Sequence, residues 1–258
     1  MKMKLYTKGH NVNLLKEIDN NGRQFTAEEH AYVTEKEFGD SFLRSRENLL
    51  RYYLSNNSAK LEALDFLIRR ATGQGYENIL SLGAGYSVLE YLLKLALPEM
   101  AKIAVTDFDA YVIEKVRLFF PEIIVLPFDL FKDDVKDIAR DLKLKFDLAV
   151  FFSSAYVLDD AQFIKVFKDL RMMGVKEIID FHAGYIDMKR VFYNLIDKIK
   201  SNGRIRKICG KSPIEVFRGK FHGYGRDRSE LKKLYHQAGF HVEQEVSLKS
   251  YKYVAILR

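Results

Sequence analysis

The chain has 258 residues, of which 48% are hydrophobic and 30% are charged, and this suits one folded domain with a substantial core. No window approaches the roughly 18 apolar residues of a membrane span, and no apolar leader opens the chain, so we expect a cytoplasmic protein that does not bind membranes. The single cysteine, Cys209, excludes an internal disulfide.

The formal net charge of +7 is unevenly distributed. Residues 186–258 carry 17 Lys/Arg against 7 Asp/Glu, whereas residues 76–185 carry 13 against 18. A basic region of this kind could attract an anionic small molecule or RNA. It could equally be a solvated surface that serves solubility.

The first 75 residues show helical patterns and predict an N-terminal helical cap over residues 1–75. Thr26 and Glu29 have the spacing of a capping box. The next segment places apolar residues along one helical stripe, and a third helix is expected to end at Gly73 in a left-handed conformation. Nothing in this region repeats or has low complexity.

From residue 77 the apolar period changes to that of strands alternating with helices. Such alternation predicts a parallel sheet covered on both faces, in a doubly wound α/β fold. After a helix over 227–239, two strands follow too closely for a parallel crossover and must form an antiparallel hairpin. We therefore predict a Rossmann-like, mostly parallel sheet of seven strands with an antiparallel last strand; the five earlier runs read ENILSL, AKIAVTDF, EIIVLPFD, KFDLAVFF and KEIIDFH.

The stretch NILSLGAGYS predicts a buried strand that ends in a tight turn with Gly83 and Gly85. A dinucleotide fingerprint requires a third small residue, which lets the helix pack on the sheet, but Val88 occupies that place. The pattern therefore disfavours NAD, NADP and FAD. The glycines could also form a strand–helix turn without a ligand.

Acidic residues at the next two strand ends indicate an adenosine-containing ligand. Asp107, 22 residues after Gly85, could accept hydrogen bonds from both ribose hydroxyls, and Asp129 could accept one from an adenine amine. Phe108 and Phe128 could stack on the ring, although each could instead belong to the core. With no obvious phosphate clamp, S-adenosylmethionine fits better than a dinucleotide. Asp107 could also be a mere helix cap, the interpretation that we prefer for Asp109.

Five segments in this order resemble the motifs of class I S-adenosylmethionine-dependent methyltransferases: ILSLGAGYS, VTDFDAYVIEKV, VLPFDLF, FDLAVFFSSAYVLDD and RSELKKLYHQAGFHVEQ. The resemblance covers roughly residues 76–258. It implies S-adenosylmethionine as cofactor, bound by Gly83, Ala84, Gly85, Ser87, Asp107, Phe108, Asp129, Phe152 and Ser153.

Two positions depart from this family's pattern. Ser81 stands where an acidic residue is usual, which leaves the cofactor's ammonium without its usual indirect partner. Ser87 stands where a third glycine is usual, and there we expect the serine to cap the following helix.

A methyl acceptor that carries a hydroxyl or ammonium group must lose a proton, so a base is expected near the strand ends. His182 is the first candidate and Tyr156 the second, although each could be a hydrogen-bonded structural residue. The histidines show no metal-ligand spacing, so no metal is predicted. FFSSAY is not the Asn/Asp-Pro-Pro-aromatic run of related amino-methylating enzymes, and no Pro-Cys follows that strand.

Acceptor choice is expected to reside outside the common core. The N-terminal helices could close over the cofactor, with an arginine near its carboxylate: Arg44, Arg46 or Arg51. A basic insertion over about 186–226 favours a small, anionic metabolite, methylated on oxygen or nitrogen, as the substrate, and RNA is the alternative. The sequence also leaves open the transfer of another part of the cofactor, and a non-catalytic relative that binds cofactor or RNA. It does not predict the oligomeric state.

Overall fold

The computed structural model describes residues 2–6, 26–56, 60–187 and 221–258. Its helices are α1 (Ala27–Phe38), α2 (Arg46–Asn56), α3 (Leu61–Gln74), α4 (Val88–Ala96), α5 (Ala110–Phe119), α6 (Val135–Leu142), α7 (Asp160–Met172) and α8 (Arg228–Gln237). Its strands are β1 (Lys2–Tyr6), β2 (Asn78–Leu82), β3 (Lys102–Asp107), β4 (Ile124–Pro127), β5 (Leu148–Phe152), β6 (Glu177–Phe181), β7 (Phe221–Arg226), β8 (Val242–Val246) and β9 (Val254–Leu257).

Seven strands form the predicted sheet in the order β4-β3-β2-β5-β6-β9-β8. The neighbours from β4 to β6 are parallel, and β9 is antiparallel to both β6 and β8. The predicted fold class and its antiparallel last strand are therefore confirmed. The chain winds outward from β2 through β3 and β4, then in the other direction through β5 and β6. The carboxyl ends of β2 and β5 thus form the switch point at which doubly wound folds bind ligands.

Helices cover both faces of the sheet, because alternate residues of each buried strand enter different cores. Ile79 and Val105 pack with residues of α3, α4 and α5, whereas Leu80 and Ala149 pack with residues of α6, α7 and α8. Strands that are apolar on both sides can be buried only in this way. Within the described ranges, no helix is long and apolar enough to cross a membrane.

The N-terminal helices pack against the first of these faces. The capping box of Thr26 and Glu29 forms as predicted, with hydrogen bonds of 2.8 and 3.2 Å. Thr34 Oγ1 donates to Asp109 Oδ2 over 2.9 Å and ties α1 to the start of α5. The left-handed end of α3 is at Gly75 (φ +65°) and not at Gly73. The left-handed cap therefore lies two residues beyond the predicted one.

The sequence pattern predicted helices throughout residues 1–75, but the opening residues form a strand. Lys2–Tyr6 form β1, which pairs antiparallel with Phe221–Arg226 of β7 in a separate two-stranded sheet. β7 lies at the end of the predicted insertion over 186–226. Most of that insertion, residues 188–220, falls outside the described residues, as does Cys209.

Candidate functional site

The glycine turn after β2 has the backbone that its sequence requires. Gly83 and Gly85 have φ values of +67° and +55°, in the left-handed region that glycine adopts without steric cost. A Cβ atom on Gly83 would lie 2.7 Å from Cβ of Ser154, which follows β5. The Ala84 amide donates to the Thr106 carbonyl over 2.9 Å. The turn is therefore wedged between β3 and the loop after β5, where a larger side chain at Gly83 does not fit.

The sequence predicted that Ser87 caps α4. Ser87 does precede this helix, but its side chain does not cap it. Its φ of +52° is left-handed, and its hydroxyl donates to the Gly85 carbonyl over 3.3 Å instead of accepting from a helix amide. A serine therefore occupies a conformation that favours glycine, which costs roughly 1 kcal/mol.

Asp107 lies beside the glycine turn, at the end of β3. Its Oδ2 accepts from the Gly85 amide over 2.8 Å, and its Oδ1 accepts from the Asp109 amide over 3.0 Å. The glycine turn and Asp107, the two features that predicted an adenosine site, are therefore in direct contact. Asp109 caps α5 by accepting from the amides of Tyr111 and Val112, as preferred from the sequence.

A cavity of about 180 Å³ adjoins the glycine turn on the face covered by α2, α3 and α4. Five residues predicted to bind cofactor line it: Gly83, Ala84, Gly85, Ser87 and Phe152. Sequence reasoning missed five more that have polar side chains: Tyr53, Lys60, Tyr86, Glu90 and Tyr251. The N-terminal helices therefore help to enclose this cavity.

Glu90 is the most unusual residue of the cavity, because it is almost completely buried. Ser81 Oγ donates to Glu90 Oε1 over 2.7 Å. Burial raises the pKa of Glu90 to about 7, against the opposing effects of the Ser81 hydrogen bond and the Lys60 charge. Burial also lowers the pKa of Lys60. A signal for Glu90 was present in the sequence, where it is the one acid within the apolar run VLEYLLKLA.

Phe152 and Tyr251 line the cavity at the end of β5, whereas Ser153, which was predicted to bind cofactor, contacts Tyr251 but does not line the cavity. Ser153 has a left-handed φ of +60°, and its hydroxyl donates to the Tyr251 hydroxyl over 3.0 Å. Phe152 stacks on Phe181 with 4.5 Å between ring centroids. Burial raises the pKa of Tyr251 to about 12, so this phenol is a neutral hydrogen-bonding group at ordinary pH.

The residues predicted to meet adenine lie along the neighbouring strand ends. The Asp129 carboxylate accepts from the Phe131 amide over 2.9 Å and pairs with Lys132 over 3.1 Å, so it shapes its own turn. Phe128 is buried in the core of the opposite face, which supports its interpretation as a core residue. Phe108 is partly exposed next to Asp107. The adenine-binding roles of Phe108 and Asp129 stay predictions.

The two candidate bases lie just beyond the carboxyl ends of β5 and β6. His182 is buried, with Nδ1 3.0 Å from Asp180 Oδ2, and that oxygen also accepts from the Tyr235 hydroxyl over 2.7 Å. A Cβ atom on Gly184 would lie 2.7 Å from Cβ of Tyr156 and 3.2 Å from His182 Nε2. Among the described residues, nothing hydrogen-bonds to His182 Nε2. The structure therefore brings His182 and Tyr156 together at the carboxyl edge of the sheet.

The arginines expected near the cofactor's carboxylate lie elsewhere. Arg46 donates to the Tyr91 hydroxyl and to Glu122 over 3.2 Å, and its guanidinium lies 4.6 Å from the centre of the Tyr91 ring. Arg44 and Arg51 are exposed and do not line the cavity. The cation that does line it is Lys60. Within the described ranges, no group of three or more His, Cys, Asp or Glu residues could hold a metal ion.

No protein-family model matches the chain, and no curated protein matches it in sequence. Solved structures do match it. Human N-acetylserotonin methyltransferase in complex with S-adenosylmethionine is 17% identical with a TM-score of 0.57, over 96% of this chain and 65% of that one. An O-methyltransferase family protein from Burkholderia thailandensis is 12% identical with a TM-score of 0.58, over 96% and 68%. Magnesium protoporphyrin IX methyltransferase from Synechocystis PCC 6803, with bound S-adenosylhomocysteine, is 12% identical with a TM-score of 0.54, over 78% and 82%.

Likeness at these identities shows a shared fold. The chain has the Rossmann-like fold of class I methyltransferases, as its resemblance to that family implied. It spans 65% of the length of the human enzyme, so about a third of that enzyme has no counterpart in the match.

Proposed function

We propose that the protein is an S-adenosylmethionine-dependent methyltransferase that methylates an oxygen atom of a small molecule. The observation that carries this proposal is the hydrogen bond between the Gly85 amide and Asp107, which places the glycine turn, the acid and the adjoining cavity at the switch point of a methyltransferase fold. The matched structures support the cofactor and the acceptor class, since their names describe enzymes that methylate small molecules.

In this proposal, the two ends of the cofactor bind at neighbouring places. The cavity, at about 180 Å³, is smaller than the roughly 300 Å³ at which pockets for whole drug-sized ligands begin. It suits the amino-acid end, beside Gly83 and Gly85. The nucleoside would then extend past Asp107, whose carboxylate oxygens are the kind of acceptor that ribose hydroxyls require, and would lie against Phe108.

The bound cofactor supplies an electrophilic methyl group, so the protein has to align the acceptor, exclude water and remove its proton. His182 is suited to the last task. Asp180 accepts from Nδ1 and so favours the tautomer in which Nε2 carries no proton. An acceptor hydroxyl that reaches His182 Nε2, near Tyr156 and Gly184, would find a base already oriented.

A small acceptor is favoured over RNA on the described residues. The basic residues that suggested RNA lie mostly at 189–220, outside the part of the chain that the structure describes. The two candidate bases are buried, so a polymer bound at the surface would not reach them. The anionic character of the acceptor remains a prediction from the charge of residues 186–258.

The test is methyl transfer from S-adenosylmethionine to a panel of phenols, alcohols, carboxylates and amines, followed through formation of S-adenosylhomocysteine. On the acceptor that is turned over, His182→Asn should lower kcat about 100-fold and leave the affinity for S-adenosylhomocysteine unchanged. Asp180→Asn, a change at a positioning residue, should lower kcat and leave the KM for the acceptor unchanged. If none of the acceptor classes is turned over, the proposed function is contradicted. An unchanged kcat in His182→Asn would remove that residue from the mechanism.

A further inference from the structure

We propose that Glu90 and Lys60 together recognise the zwitterionic amino-acid end of the cofactor. Glu90 accepts a hydrogen bond from its α-ammonium group, and Lys60 donates one to its α-carboxylate. This inference rests on the proposed function and extends it to two residues that the family resemblance did not indicate.

The environment of Glu90 suits an acid that pairs with a cation. Glu90 is 2% exposed and lines the cavity, and Ser81 donates to one of its oxygens over 2.7 Å. A buried carboxylate is costly, even with hydrogen bonds, unless a cation pairs with it. Ser81 occupies the position where an acid is usual in the family, so the strand supplies a hydroxyl and the helix supplies the carboxylate.

Lys60 supplies the opposite charge at the same cavity. It precedes α3, and its ammonium lies 5.8 Å from the centre of the Tyr53 ring. Each of the two charges favours the ionised form of the other. A cavity of this size with one cation and one anion on its lining is complementary to an amino acid, whose ammonium and carboxylate are separated by a single carbon.

Binding should be linked to a proton. The titratable groups that act on Glu90 are Lys60 from the start of α3, Asp107 from β3, Tyr53 from α2 and Tyr251 from the loop before β9; Ser81 adds a hydrogen bond. An arriving ammonium group stabilises ionised Glu90, so a proton leaves Glu90 near pH 7 and affinity rises with pH in that range. A ligand carboxylate beside Lys60 has the opposite effect, because it favours proton uptake there.

The experiment is isothermal titration of the full chain with two probes, S-adenosylhomocysteine and 5′-methylthioadenosine. The second probe keeps the nucleoside and lacks the amino acid. Glu90→Gln and Lys60→Met should each weaken S-adenosylhomocysteine binding roughly 10- to 100-fold and leave 5′-methylthioadenosine binding unchanged. The exposed residues Glu99 and Lys102 provide matched controls, Glu99→Gln and Lys102→Met, which should bind both probes as the wild type does.

Repeating the titration at pH 7 in buffers of different ionisation enthalpy measures the linked proton. The wild type should release protons on binding S-adenosylhomocysteine, and Glu90→Gln should release fewer. Glu90→Asp, which keeps the charge, should recover part of the lost affinity.

The possible outcomes separate the two proposals. If the wild type binds neither probe, the proposed function fails. If the wild type binds both and the Glu90 and Lys60 variants bind S-adenosylhomocysteine equally well, the proposed function stands and this inference is wrong. Equal loss of both probes in the variants also overturns it, since that result would reflect a general disturbance of the site.

Discussion

The Gly85 amide and the Asp107 carboxylate, 22 residues apart in the chain, meet in a hydrogen bond of 2.8 Å. The acid that the sequence predicted as a ribose ligand therefore also fixes the turn that should hold the amino-acid end of the cofactor. One residue links the two halves of the proposed site, and the effects of changing it should extend to both.

Asp107→Ala should abolish binding of S-adenosylhomocysteine and of 5′-methylthioadenosine alike, because both carry the ribose. The fold should remain, since Asp107 lies at a strand end and is partly exposed. Titration calorimetry together with circular dichroism provides the measurement. Asp137→Asn, on the exposed side of α6, is the control. Unchanged affinity in Asp107→Ala would remove this residue from the site.

Glu90 should lower the stability of the ligand-free protein as the pH rises. Burial raises the pKa of this carboxyl from 4.5 to about 7, so between these values the folded state keeps a proton that the unfolded state has lost. The contribution of protonated Glu90 to the free energy of unfolding is fully present below pH 4.5 and is lost as the pH rises through about 7. This contribution amounts to about 3 kcal/mol. Glu90→Gln cannot ionise and should therefore be more stable than the wild type at pH 8, by up to this amount.

Urea unfolding of the wild type and Glu90→Gln at pH 5 and pH 8 measures this difference. The advantage of the variant should be larger at pH 8. The same advantage at both pH values would show that ionisation of Glu90 is not its cause. Glu99→Gln, at an exposed position, should show no pH-dependent difference.

Ser87→Gly should stabilise the protein by roughly 1 kcal/mol, because Ser87 has a left-handed backbone that only glycine adopts without steric cost. Lys143 provides a matched comparison away from the site. It ends α6 with the same φ of +52°, so Lys143→Gly should give a similar gain. The measurement is the midpoint of urea unfolding. A loss of stability in Ser87→Gly alone would mean that the serine hydroxyl matters more than the backbone conformation.

Glu177 should be essential for stability and irrelevant to ligand binding. It is fully buried at the start of β6, where Arg70 donates to its two oxygens over 2.8 and 2.6 Å and Arg258 donates over 3.1 Å. Glu177→Ala removes the buried partner of the Arg70 guanidinium, which then keeps only the partly exposed Glu243 at 2.8 Å, and should cost about 3 kcal/mol.

Removing the carboxylate of an exposed pair, by Asp65→Ala beside Arg69, should cost less than about 1 kcal/mol. Chemical denaturation measures both changes. A cost for Glu177→Ala as small as that of the exposed pair would contradict the role assigned to the buried network. Any loss of affinity for S-adenosylhomocysteine in folded Glu177→Ala would contradict the prediction that Glu177 does not contribute to ligand binding.

The sequence predicted the sheet well because its strands and helices differ in apolar period and length. It failed for Lys2–Tyr6, whose strand exists only by pairing with β7, more than 200 residues away. Such a contact leaves no local pattern. The prediction for the end of α3 was wrong by two residues. Both Gly73 and Gly75 could form a left-handed helix cap, and only the folded backbone shows that Gly75 does so.

The candidate site was predictable where single strand ends define it, as at Gly83, Gly85 and Asp107. It was not predictable where side chains from distant elements converge. The sequence indicates a cation from the N-terminal helices but does not distinguish Lys60 from Arg44, Arg46 and Arg51, because it does not show how these helices are oriented. The sequence showed that Ser81 lacked the usual acid, but not that Glu90, nine residues later, would be turned toward it by α4.

The central claim, that the glycine turn and Asp107 hold one adenosine with an amino-acid tail, is tested most directly by titrating the wild-type chain with S-adenosylhomocysteine and, in parallel, with NAD. We predict saturable binding of S-adenosylhomocysteine at one site and no measurable binding of NAD. No binding of S-adenosylhomocysteine, or tighter binding of NAD, would contradict the account.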